Sequence, residues 1–191
     1  MHRKVIALMA ALATVLAVAP AASAGHSKDK TGWGSYYGAT TLDVDPGTLS
    51  ALTGLGVSPG TVKPAKLDGA RYSFPIVTSP RKALRSGVVR HVGGISLSAG
   101  DTTVKLTDFD IKLAKSQLFG RVNGSERVAL LDLDYSRTKV RVRGWRVKIG
   151  PVGTTLTQGA ADALNQAFGV SALTDDTVLG DVTIRYRLYR R

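Results

Sequence analysis

From Trp33 onward the apolar side chains recur mostly at every second position. That is the period of a half-buried strand, and it leaves little of the chain for helix. Val140 and Val142 alternate with Lys139, Arg141 and Arg143. After Gly144 the phase slips by one, and Trp145, Val147 and Ile149 alternate with Arg146 and Lys148. A glycine at a phase slip predicts a β-bulge within one strand. Val182, Ile184, Tyr186 and Leu188 alternate in the same way with Thr183, Arg185, Arg187 and Tyr189. Further strands are expected over 36–43, 71–77, 88–98, 102–106, 109–113 and 128–135, with turns at Asn123-Gly124 and Ala99-Gly100-Asp101. Two helices interrupt the pattern. Thr157 caps one over 158–168, closed by Gly169 and carrying Ala161, Leu164 and Phe168 on one stripe. Asp45 caps a shorter one that starts at Pro46 and stops near Gly54 and Gly56. The fold class is therefore mostly β, an antiparallel β-sandwich with one or two short α-helices.

The N-terminus reads differently. His2, Arg3 and Lys4 precede an apolar run from Val5 to Val18, then Pro20 and the small-x-small site Ala22-Ser23-Ala24. About 14 apolar residues are too few to cross a hydrocarbon core of about 30 Å, so residues 1–24 are expected to be a cleaved export signal. Residues 25–32 are expected to form a loose polar tail, and 33–191 a single domain. The domain has no cysteine, so its core alone holds it together, and thiolate metal sites and thiol nucleophiles are excluded. The chain carries a formal charge of +12. For a secreted or envelope-associated protein, that charge points to anionic wall polymers, anionic lipid or an acidic partner, and export argues against nucleic acid.

No catalytic signature is present. The chain lacks H-E-x-x-H, G-x-S-x-G, a P-loop and a dinucleotide-binding glycine motif, and after residue 24 it has only His26 and His91. Of the close acidic pairs, Asp108/Asp110 and Asp132/Asp134 are spaced to point together into a cleft, but Asp132 and Asp134 alternate with Leu131 and Leu133 as on a solvent face and Asp175-Asp176 reads as a turn; structural roles outweigh a paired-carboxylate site, and none has calcium-loop spacing. The chain is accordingly expected to be no enzyme and to hold no metal through these residues. His91 lies in phase with Val89, Gly93, Ile95 and Leu97, on the inward face of the expected strand. Such an imidazole is either a ligand contact beside two glycines or a core histidine bonded to a backbone carbonyl. A bulge at Gly93-Gly94 would instead turn it outward. Trp33, Tyr36 and Tyr37 either recognise a flat ligand or a sugar or pin the first strand into the core. The basic faces, Arg141, Arg143, Arg146 and Lys148 on one segment and Arg185, Arg187, Arg190 and Arg191 on the other, merge into one binding surface, with Arg141, Arg143, Arg185 and Arg187 as its candidate contacts, if their strands are neighbours. Alone, each is a solvated outer face.

The run Gly87-Val-Val-Arg-His91-Val-Gly-Gly94-Ile-Ser-Leu-Ser-Ala-Gly-Asp101-Thr-Thr-Val-Lys-Leu-Thr-Asp-Phe-Asp-Ile111 resembles the HtaA-type domain of exported haem-transport proteins from Gram-positive bacteria. Phe74-Pro75-Ile76, Leu156-Thr157-x-x-Ala160, Leu179-Gly180-x-Val182 and the opening Trp33-Gly34-Ser35-Tyr36-Tyr37 extend the resemblance over most of 33–188. The chain departs from the family where His91 precedes Gly93-Gly94, and where the segment around Trp33 is shorter. The resemblance implies a β-sandwich, and binding of haem or another small apolar ligand. It also implies that Tyr36 or Tyr37 is the axial donor, with His91 supporting the phenolate by a hydrogen bond. Intact mass of the exported protein should place the mature N-terminus at Gly25; retention of residues 1–24 would contradict the reading of the leader.

Overall fold

The structure, a computed structural model, describes residues 36–188. The leader, the tail, Trp33, Arg190 and Arg191 lie outside the described residues. Twelve strands are present in that span: β1 Gly38–Val44, β2 Ser58–Val62, β3 Lys66–Asp68, β4 Arg71–Ile76, β5 Val88–Arg90, β6 Gly94–Ala99, β7 Thr102–Lys112, β8 Gln117–Val122, β9 Arg127–Asp134, β10 Lys139–Arg143, β11 Arg146–Leu156 and β12 Val178–Arg187. Three helices accompany them: α1 Pro46–Gly54, α2 Pro80–Ser86 and α3 Gln158–Phe168. All strand pairs are antiparallel and belong to one sheet, ordered β2-β6-β7-β8-β9-β11-β12-β1-β4-β3, with β10 beside β11 and β5 beside β7.

The helix termini follow their caps. The Thr157 side chain accepts a bond from the Ala160 amide, and Gly169 takes the left-handed conformation that ends α3. Asp45 accepts from the Thr48 amide at the start of α1, and Pro46 fills the first helical position. Ala160, Ala161 and Leu164 are buried where α3 lies on β9. Helix α2, between Ser79 and Gly87, buries only Ala83 and so leaves no apolar period in the sequence.

Three expectations about strands need correction. Residues 140–149 are not one bulged strand but a hairpin. Arg143 pairs with Arg146, and Gly144, at φ 53°, occupies the first position of a two-residue turn. The expected strand 88–98 is two, β5 and β6, broken at Gly93. There φ is 82°, and a Cβ would meet the Ala65 amide nitrogen at 2.5 Å. Conversely, the expected strands 102–106 and 109–113 are the two halves of β7. Asp108, at φ 54°, forms a bulge between them that shifts the register against β8. A bulge bends its strand. Here the bend lets the first half of β7 pair with β6 and the second half with β5.

That bend rolls the sheet into a nearly closed barrel. Closure comes where β5 meets β4: His91 bridges to Ile76, the Val77 amide donates to the Arg90 carbonyl at 2.9 Å, and the Val92 amide donates to the Pro75 carbonyl at 3.2 Å. Inside, side chains line up in rows across strands, Phe74–Thr40–Ile184 and Tyr72–Leu42–Val182. The Tyr72 and Phe74 rings stack, and Phe109 of β7 meets Phe74 edge-on with 5.1 Å between centroids.

Candidate functional site

His91 sits at the closing seam with 3% of its surface exposed. Its backbone amide donates to the Phe109 carbonyl at 2.8 Å, and Nδ1 lies 2.9 Å from the same oxygen. A carbonyl only accepts, so Nδ1 carries the proton. In the neutral ring Nε2 is then an acceptor, and the Thr40 hydroxyl donates to it across 2.7 Å. Burial pushes the His91 pKa down to about 4, against the opposing pull of the Phe109 carbonyl. Both ring nitrogens are therefore engaged within the protein, by β7 on one side and β1 on the other. Of the contacts expected for a core histidine, the backbone carbonyl bond is present.

Tyr36 and Tyr37 are half-buried at the entry to β1. The Tyr37 amide donates to the Ile76 carbonyl at 3.0 Å, its carbonyl accepts from the Arg187 amide at 2.8 Å, and its side chain packs against the core. The following residue, Gly38, faces Ile76 on β4 and Tyr186 on β12. A Cβ there would lie 2.0 Å from the Arg185 carbonyl oxygen, so only glycine fits. Thr40, which holds the His91 ring, lies three residues beyond Tyr37, about 10 Å along the strand.

The two basic segments are neighbours. Register across β10, β11 and β12 aligns Arg141–Lys148–Arg185 and Arg143–Arg146–Arg187. Directly opposed residues share a face, so six cations stand together on one side of this ribbon. Like charges set opposite one another are destabilising, and none of the six is ion-paired among the described residues. All six were expected on basic faces from the sequence, and Arg146 and Lys148, on the middle strand, join the rows of the other four. On the other side of the ribbon Val140 and Val142 are exposed, as is Trp145 at the turn.

The acidic pairs take structural positions. Asp110 is buried, its carboxylate 3.4 Å from Arg127 and 3.9 Å from Arg90, while Asp108 faces Arg121 at 3.7 Å. Asp132 and Asp134 are exposed, and Asp175-Asp176 forms a turn. Among the described residues no group of three or more acidic or histidine side chains is arranged to hold a metal ion. An open cleft of about 360 Å³ lies against Asp43, Asp68 and Arg71.

No family model and no curated protein matches this chain. Among solved structures, the C-terminal domain of HtaA from Corynebacterium glutamicum matches with a TM-score of 0.54 and 13% identity, covering 80% of this chain and 97% of that domain. The chain has the HtaA-type fold. The haem-binding protein HtaB of the same organism matches with a TM-score of 0.48 and 11% identity over 78% of this chain and 92% of its own. A domain-swapped histidine-to-alanine variant of the HtaA domain gives 0.48 and 14%, over 75% and 91%. Within the HtaA-type fold as this chain builds it, the seam histidine is a neutral, internally bonded group.

That state has a consequence for stability. The folded His91 binds its proton near pH 4, whereas an unfolded histidine does so near 6.5. Between those values the unfolded chain holds more protons. The stabilisation from this group is therefore complete above pH 6.5 and is lost as pH falls to 4, a change of about 3 kcal/mol. Urea unfolding of wild type and His91→Gln across that window should show the wild type losing stability more steeply; parallel curves would contradict the assignment.

Proposed function

We propose that this chain is a non-enzymatic haem-binding protein that works outside the cytoplasm, as a secreted or envelope-associated domain. The observation that carries the reading is the pair of phenols, Tyr36 and Tyr37, at the entry to β1 in a domain with the HtaA-type fold. The surroundings fit the chemistry of an apolar, flat, dianionic ligand. Hydrogen bonding pairs Leu188 with Trp145 at the neighbouring strand ends, and both side chains are exposed. Arg187 is bonded through its backbone to Tyr37, and Arg143 and Arg146 lie in its row, offering guanidinium groups to carboxylates. Bound ferric haem would supply an iron for which a tyrosinate is a suitable anionic donor.

His91 acts in this reading by position. Its Nε2 lone pair is held by Thr40 and its Nδ1 proton by Phe109, so the ring fixes β1, and with it the tyrosine pair, against β7. Donation from His91 to a phenolate would require it to give up the Phe109 bond or to become protonated.

Haemin titrated into the full chain should give a saturable change in the Soret band. Tyr→Ala at the ligating position, 36 or 37, should abolish it while the other substitution preserves it, and His91→Ala should weaken it, with far-UV circular dichroism confirming the fold. Absence of a saturable change in wild type would overturn the proposal. A second reading, contact with anionic cell-envelope polymer through Arg141, Arg143, Arg185 and Arg187 and no cofactor, is favoured by the alignment of the two basic rows. It predicts that same negative titration.

A further inference from the structure

The antiparallel register gathers particular segments at one end of the barrel. There β4 ends, β1 begins, β12 ends, β11 begins and β10 ends. Helix α2 joins β4 to β5 at this end, and the turn after β7 is tied to it by a 2.9 Å bond from the Leu113 amide to the Gly87 carbonyl. The hairpin strand β11 and β4 are three strand spacings apart, about 15 Å, so α2 and the Trp145 turn share one rim.

Two properties coincide on that rim. Seven of the nine large apolar side chains exposed among the described residues are on it or on the adjoining hairpin. Leu84 of α2 is 86% exposed and Trp145 61%. The segments that reach this end (77–90, 110–118, 141–148 and 185–188) contain twelve lysines and arginines and one carboxylate, the buried, ion-paired Asp110; beside them, at the end of β9, stand Asp132, which accepts from the Gln117 side chain at 2.9 Å, and Asp134, so cations still outnumber carboxylates here by twelve to three. Asp43, Asp45, Asp68, Asp175, Asp176 and Asp181 lie toward the opposite end. The molecule is polarised along the barrel, and such a field orients it on a negatively charged surface.

We propose that this rim docks on an anionic lipid bilayer, with Leu84 and Trp145 entering the boundary between headgroups and acyl chains and the surrounding lysines and arginines on the lipid phosphates. The inference rests on the cationic surface of the second reading above and is independent of haem. A soluble polyanion would pair with the cations but leave Leu84, Val142 and Trp145 in water. A bilayer satisfies both, since apolar side chains insert and basic ones stay at headgroup level. No helix among the described residues is long and apolar enough to cross a membrane, so the contact proposed is peripheral.

The test uses the full chain carrying Trp33→Phe, which leaves Trp145 as the sole indole, and no haemin. Variants share its N-terminus. Vesicles of equal phosphatidylglycerol and phosphatidylcholine should shift Trp145 emission to shorter wavelength and sediment the protein, with affinity falling steeply as salt rises. Arg143→Gln/Arg146→Gln/Arg187→Gln should weaken vesicle binding by roughly 30-fold or more. Leu84→Ser/Val142→Ser, both at exposed positions, should weaken it about tenfold while binding soluble dextran sulfate as the parent does. Failure of the parent to bind these vesicles, or an unshifted Trp145, would overturn the proposal. So would vesicle binding by the Leu84→Ser/Val142→Ser variant equal to the parent's, which would mark the surface as a site for soluble polyanion.

Discussion

A buried histidine with a neutral ring and three hydrogen bonds, two from the ring and one from its backbone amide, joins the two sides of this barrel. The His91 backbone and Nδ1 both donate to Phe109 on β7, Nε2 accepts from Thr40 on β1, and the residue bridges to Ile76 on β4. Elsewhere neighbouring strands pair through ladders of at least three residues, but between β4 and β5 the pairing is a single bridge with its two flanking bonds. The side chain supplies there what a longer ladder would supply. Its burial is tolerated because every polar atom of the ring has a partner; deleting the ring would leave a buried hydroxyl and weaken the bonding of a buried carbonyl, at about 1–3 kcal/mol for each group left unsatisfied. The bulge at Asp108 and the break at Gly93 serve the same closure, since one turns β7 toward β5 and the other lets the chain pass close to Ala65.

The seam also fixes what lies above it. Thr40 is anchored by His91, and just before the same strand Tyr37 is clasped by backbone bonds to Ile76 and Arg187. From Arg187 the cationic rows continue through β11 to β10. A small number of interior bonds thus sets the geometry of a rim that is aromatic, apolar and strongly basic. The unpaired cations there oppose folding slightly, and the closed interior beneath them accommodates that opposition.

Much of this fold was legible in local patterns. Thr157 with Gly169, and Asp45 with Pro46, mark helix ends because caps act within four residues of the backbone groups they satisfy. Alternation marks strands for the same local reason. The hairpin at Gly144 was not legible, because a two-residue turn and a bulge both slip the phase by one, and only pairing partners tell them apart. Helix α2 has its Ser79 cap, Pro80 and Gly87 in plain view, but a helix that buries one alanine leaves no period. The inward phase of His91 could be read, whereas its decisive partner, Thr40, is 51 residues away in the chain. The basic rim was visible only as two separate rows. Its third contributor, the α2 corner with Leu84, is brought near by the path of β4, which no local pattern encodes.

The state of the His91 ring is open to direct observation by nitrogen-15 NMR correlating ring nitrogens with ring protons. At pH 6 the ring should be neutral and protonated at Nδ1, with Nε2 showing the shift of a hydrogen-bond acceptor and the Nδ1 proton slow to exchange. A ring protonated at Nε2, or one titrating near pH 6.5 like an exposed histidine, would contradict this assignment.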